Sequence, residues 1–209
     1  MPASPSRGRL LVAAPSLEDP NFFRSVVFLL AADADGALGV VLNRPSETPV
    51  AEIVPSWSLL IASPQVLFTG GPVQPNAAIC VGRQRRGSTG PGPHGASGGA
   101  ADADGGGVSE TGEIDGYSPL VGELGTVDLH RDPTDIGVEL EGLRVFVGYS
   151  GWGPGQLEDE IEAGAWFLLE GRHQDVLSDE PGSLWERVLR RQGGWLSVLS
   201  RHPVDASLN

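Results

Sequence analysis

The reading of this chain turns on residues 147–161, Val147-Gly148-Tyr149-Ser150-Gly151-Trp152-Gly153-Pro154-Gly155-Gln156-Leu157-Glu158-Asp159-Glu160-Ile161. The stretch reads as a strand end, a glycine-rich turn and a helix start. Upstream, residues 143–149 alternate around Val145, Val147 and Tyr149, the period-two pattern of a strand. Downstream, Leu157, Ile161 and Ala165 fall at helical spacing. That spacing predicts a helix over residues 155–164, ended by Gly164.

Two chemistries suggest themselves at this turn, and the residues argue against both. A serine nucleophile elbow needs Gly-x-Ser-x-Gly on a sharp strand-to-helix turn. Here Gly148-Tyr149-Ser150-Gly151 begins that pattern, but Trp152 stands where the second glycine belongs. His173 and His202, the histidines beyond Ser150, lie in no diagnostic context. A helix N-terminus also attracts phosphate through its free N–H groups and dipole. The first turn here carries Glu158, Asp159 and Glu160, which already complement that dipole and repel an anion. A third candidate is Asp128, His130, Asp132 and Asp135 around a cation, but their spacing matches no metal-ligand signature.

Working outward, the composition narrows the function classes. The 209 residues carry 27 acids against 14 basic residues, all arginine, for a net charge of −13. A lysine-free chain has no Schiff-base lysine and no phosphate-loop lysine. The acidic excess speaks against direct nucleic-acid binding, which needs clustered cations, and against an anionic membrane surface. Cys80 is the sole cysteine, so an intrachain disulfide and a multi-cysteine zinc site are both excluded. It is expected to be a small buried hydrophobe. The longest apolar run, residues 26–32, is far short of the ~20 residues that span a bilayer. The expected location is the cytoplasm.

In chain order, residues 1–8 are rich in Pro and Ser and are expected to be disordered. Strands are predicted over residues 9–14, 23–32 and 37–42, the last two forming a hairpin around Asp33-Ala34-Asp35-Gly36. Asn43-Arg44-Pro45 ends the third. Short helices are predicted at 50–54 and 57–61, and strands at 66–69 and 77–82. Residues 84–117 are dominated by Gly, Ser, Ala and Asp and read as a flexible insertion in a surface loop. Residues 84–142 hold 3 arginines against 11 acids, a net of −8, so most of the chain's acidity sits in and just after the insertion. An edge strand is predicted at 125–129, then strands at 166–170 and 173–177. Ser183-Leu184-Trp185-Glu186 reads as a capping box opening a helix to Gln192, with a last helical turn at 195–199.

Four strings together resemble the YqgE/AlgH family of bacterial proteins. They are residues 10–29 (LLVAAPSLEDPNFFRSVVFL), 36–45 (GALGVVLNRP), 68–74 (FTGGPVQ) and 147–166 (VGYSGWGPGQLEDEIEAGAW). The resemblance implies an α+β fold: a single compact domain, residues 9–209, with a mostly antiparallel, barrel-like sheet and a few short helices. It implies a bacterial cytosolic protein without an established activity; some members have been called transcriptional regulators, and no cofactor comes with the family. The family usually has a more compact connection where residues 84–141 stand here.

The resulting expectation is a non-enzymatic binding or regulatory protein. Its surface would be formed by Asn43, Arg44, Gly70, Gly71, Gln74, Tyr149, Ser150, Gly151, Trp152, Gln156 and Glu158. Glycines and polar groups with no evident packing role suit a site grafted onto a scaffold. The partner would be a protein or a small molecule. The alternative is a hydrolase-like enzyme using Ser150 or Glu158 in a pocket near Trp152.

Overall fold

The computed structural model describes residues 4–87 and 115–202. Residues 1–3, 88–114 and 203–209 lie outside that description, and most of the expected insertion lies there with them. Ten strands form: β1 (Arg9–Ala13), β2 (Val26–Asp33), β3 (Gly36–Val41), β4 (Pro45–Pro49), β5 (Val66–Thr69), β6 (Val73–Gln84), β7 (Tyr117–Val121), β8 (Leu124–Val127), β9 (Leu140–Trp152) and β10 (Trp166–Glu170). Four short helices follow the later strands: α1 (Gln156–Glu162), α2 (His173–Val176), α3 (Leu184–Arg190) and α4 (Gly194–Leu199).

The strands run β10-β1-β2-β3-β9-β6-β8-β7, with every neighbouring pair antiparallel. β4 pairs with β5, and β5 runs parallel to β9. The sheet curls into a half-barrel, bringing Gly8, just before β1, against the Val121 side chain of β7. This is the expected α+β domain.

β9 is the spine. Along one edge it meets β5 at Phe146 and Val147, then β3 at Ser150, Gly151 and Trp152. Along the other edge it pairs with β6 from Leu140 to Tyr149. Its side chains alternate between the two faces of the sheet, as strand geometry requires. Phe146 joins the cluster covered by α2 and α3, together with Leu10, Phe28 and Trp185. Leu143 and Val145 join a second cluster with Trp57 and Cys80. Trp152 joins a third, in which Leu157 of α1 covers the other faces of β1 and β2. Each fully buried large apolar side chain contributes about 1.5–3 kcal/mol relative to exposure. Burial also pushes the Cys80 thiol well above its ordinary range, so it stays a neutral hydrophobe.

Arg144 carries a charge into this packing. Arg144 on β9 is 1% exposed. Its guanidinium donates to the carbonyls of Val176 (3.0 Å) and Ser63 (2.6 Å) and lies 4.2 Å from the Phe68 ring centroid. Burial lowers its pKa to about 10, opposed by the Asp179 charge.

Several sequence expectations shift. β9 is longer than the predicted 143–149 and passes straight through the glycines to Trp152, because β6 pairs as far as Tyr149 and β3 pairs with Ser150, Gly151 and Trp152. β2 begins at Val26 rather than residue 23, since Arg24 adopts φ 53° and breaks the extended run. The segment predicted as an edge strand is β8, and it lies between β6 and β7. Tyr117, assigned by composition to the insertion, is 2% exposed and opens β7.

The predicted strand at 173–177 is instead the helix His173–Val176, with Leu177 as its C-cap. The Asp175 carboxylate turns back to accept the Arg172 N–H (2.8 Å) and takes a two-pronged grip from Arg191 (2.5 and 2.7 Å). The Ser183 capping box does not form. A 3-10 turn, Pro181–Ser183, precedes α3, and the Ser183 hydroxyl donates to the Glu180 carbonyl instead.

Candidate functional site

The signature glycines make a backbone crossing. β5 leaves the sheet through Gly70 and Gly71, which press against Gly148 and Tyr149 of β9. A Cβ on Gly70 would stand 2.3 Å from the Gly148 carbonyl oxygen, one on Gly71 2.3 Å from that of Tyr149, and one on Gly148 2.5 Å from that of Gly71. Side chains have no room there. Gly148 also holds φ 72°, which favours glycine.

Ser150 is fully buried at this crossing, and its hydroxyl donates to the Gly70 carbonyl at 3.2 Å. It locks two strands together, and nothing in its setting supports a nucleophile. Tyr149 is half-buried beside the exposed Gly151.

Beyond the crossing the motif forms a clasp. Glu160 Oε2 accepts both indole N–H groups, from Trp152 (3.0 Å) and Trp166 (2.8 Å). Gln156 Nε2 donates to Glu160 Oε1 (2.9 Å), while its Oε1 accepts the Gly153 N–H (3.0 Å). Trp152 is 6% exposed, so its ring is part of the packing and not a contact surface. Phe22 stacks on Trp152 with centroids 6.2 Å apart and meets Trp166 edge-on at 5.4 Å. Glu158 is exposed on α1. Glu160 was not among the residues expected from the sequence. Its available signal was the helical spacing from Gln156, which puts both on one face of α1.

The third assembly is a pocket. Asn43 Oδ1 accepts the Val26 N–H (2.9 Å) and its Nδ2 donates to the Arg24 carbonyl (2.9 Å), clipping the loop before β2. Arg44 donates to the Phe23 carbonyl (2.7 Å), and its own carbonyl accepts the Thr69 N–H (2.9 Å). Between these loops lies a pocket of about 460 Å³, lined by Pro20, Asn21, Asn43, Arg44, Thr69 and Gly71 among others. No acid pairs with Arg44 among the described residues.

Of the eleven expected residues, the pocket gathers Asn43, Arg44 and Gly71, with Gly70 at the crossing beside it. Gly151 and Trp152 pair with Leu38 and Ala37, at the far end of β3 from Asn43. Gln74 is exposed outside the pocket lining, with φ 46° in the irregular start of β6. Asn21, missed by the sequence reading, sits next to Phe22 and so joins the two assemblies: the clasp holds the ring of Phe22, and the next residue back lines the pocket. The acidic group around His130 makes turns. Asp128 accepts the His130 N–H (3.0 Å), and Asp132 accepts the Thr134 N–H and hydroxyl, which lowers the Asp132 pKa.

A curled, mostly antiparallel half-barrel, braced by a glycine crossing and a tryptophan clasp, defines the class of domain. The chain belongs to the AlgH-like family, whose model (described as DUF179, AlgH-like) matches residues 10–197. A UPF0301 protein of Streptomyces coelicolor is 44% identical over 202 residues, covering 97% of this chain and 94% of that protein. One from Mycobacteroides abscessus is 43% identical, covering 97% of this chain and 87% of its own. A crystal structure of a Corynebacterium diphtheriae protein superposes with a TM-score of 0.79 at 31% identity, covering 95% of this chain and 93% of that one. The solution structure of the AlgH protein from Pseudomonas aeruginosa superposes with a TM-score of 0.59 at 25% identity, covering 99% and 100%. Among the described residues, no helix is long and apolar enough to cross a membrane.

Proposed function

We propose that this protein is a non-enzymatic binding protein of regulatory or accessory type, and that it takes a carboxylate-bearing partner at the Arg44 pocket. One observation carries this reading. Three segments that match the family's strings, around Pro20-Asn21, Asn43-Arg44-Pro45 and Thr69-Gly71, converge on one pocket with an arginine that no described acid neutralises. A guanidinium with donors to spare selects planar oxyanions. Asn21 and Thr69, both exposed, offer further polar contacts. The clasp at Trp152 supports the site by holding Phe22, and Trp152 itself is a positioning residue. The hydrolase reading draws no support from Ser150, whose hydroxyl is buried on a carbonyl.

Capture of partners from native lysate by the wild-type protein and by Arg44→Ala tests the proposal. The expected outcome is loss of a specific partner with Arg44→Ala while the melting curve stays within a few degrees. Retention of every partner by Arg44→Ala at equal yield would remove the pocket from consideration.

A further inference from the structure

The two ends of the curled sheet meet at a seam, and a hollow of about 670 Å³ opens there. Its charged lining is Arg7, Arg9, Arg86 and Arg172, with Glu123 and Glu170. In a chain with 27 acids and 14 arginines, that local balance is reversed. We infer that this seam groove is a binding site for a small anion carrying two or more phosphate groups, separate from the Arg44 pocket.

The pairing pattern supports this. Arg9 is fully committed, donating to the carbonyls of Leu168 and Leu169 and to Glu170 at 2.6 Å. Glu123 belongs first to Arg83, at 2.9 Å, and reaches Arg86 only at 3.7 Å. Arg7 and Arg172 form no ion pair among the described residues. Arg7 and Arg172, both exposed, therefore stand at one hollow without a paired acid among the described residues, and Arg86, also exposed, holds Glu123 only at 3.7 Å. Each presents a planar fork that matches two oxygens of a phosphate. An anion with several oxygens on two centres can engage them together, which a single carboxylate cannot.

Beneath the groove two backbones meet: a Cβ on Gly171 would fall 2.3 Å from the Gly8 carbonyl oxygen, and Phe28, Val121 and Leu124 line the hollow beside them. The volume lies within the roughly 300–1,000 Å³ of small-molecule pockets. His173 and Gln174 also line an adjoining hollow of about 540 Å³, which gives the ligand room beyond its phosphates.

Isothermal titration of the full chain at low salt tests the site, with four probes: inorganic pyrophosphate, a nucleoside diphosphate, citrate and a short single-stranded oligonucleotide. The expected result is saturable one-to-one binding of a phosphate probe, about tenfold weaker in Arg7→Gln and in Arg172→Gln, since a charge-assisted hydrogen bond is lost in each. Arg131→Gln, whose arginine pairs with Asp115 at 3.1 Å, leaves binding unchanged. Tighter binding of the nucleoside diphosphate than of pyrophosphate points to a nucleotide, and equal binding to an inorganic or simple organic diphosphate; both support the site. Absence of saturable phosphate binding overturns the inference. Binding unaffected by the Arg7 and Arg172 variants, or confined to citrate or the oligonucleotide, overturns it as well.

Discussion

The Glu160 carboxylate takes two indole N–H groups on one oxygen and the Gln156 amide on the other. Removing it leaves two nearly buried N–H donors, on rings 6% and 2% exposed, without an acceptor. Glu160→Ala is expected to cost about 2–3 kcal/mol in urea unfolding, the scale of lost hydrogen bonds to a charged group. Glu160→Gln keeps an acceptor and should cost less. A loss below about 0.5 kcal/mol in the alanine variant would mean that water replaces the carboxylate. This residue also marks a limit of sequence reading. In the sequence Trp152 stands in a glycine-rich turn and is expected on the binding surface. The pattern could not reveal that a helical carboxylate and a second tryptophan enclose it, since those contacts are tertiary.

At the scale of elements, apolar runs, alternation and turn residues located most of the strands; β1 and β2 read as unbroken apolar runs because both of their faces are buried. Reading failed where a distant partner decided the outcome. The segment from His173 to Leu177 is short and predicted as a strand, yet Asp175, held by the Arg172 N–H and by Arg191 from α3's end, sits in a helical turn. Tyr117 looked like loop by composition and is core by position. β9 looked finished at Tyr149 because glycines weaken strands, but here glycine is what lets β5 lie against it. Gly148→Ala tests that account. The added methyl meets the Gly71 carbonyl oxygen at 2.5 Å on a backbone with φ 72°, so the strands must part. The expected cost is above about 3 kcal/mol, combining strain and lost pairing. A soluble variant with a wild-type melting temperature would show that the crossing relaxes freely. For the pocket, Asn21, Asn43 and Arg44 all lie in the family strings, but only the fold shows that the Asn21 loop comes alongside the other two.

For the molecule as a whole, two buried groups pull its stability in opposite directions at alkaline pH. Burial first, and the Glu123 charge second, raise the Tyr117 phenol to about 12 against the lowering effect of a backbone hydrogen bond with Gln84. The folded state thus holds a proton that the unfolded state releases from about pH 10. Tyr117 therefore contributes stability that is complete below about pH 10 and disappears as pH rises through 12. Arg144 is lowered to about 10, so the unfolded state holds the extra proton above that pH and its contribution to stability rises. Tyr117→Phe removes the first effect and keeps the second. The variant should be less stable at pH 9, having lost the hydrogen bond to the Glu123 carbonyl, and the gap to wild type should narrow by pH 11.5. Urea midpoints across that range decide it; a constant gap would refute the assignment.

The long central strand has a consequence for how this fold tolerates change. Loops can gain or lose residues without disturbing their neighbours. β9 has no such freedom, because its thirteen residues are read simultaneously by β3, β5 and β6. Deleting one residue in its middle would turn every later side chain to the opposite face. Trp152 would lose Glu160, Ser150 would lose Gly70, and the crossing would meet a side chain where it needs none. Length variation in this fold is therefore expected to collect in the connections, while β9 keeps its count.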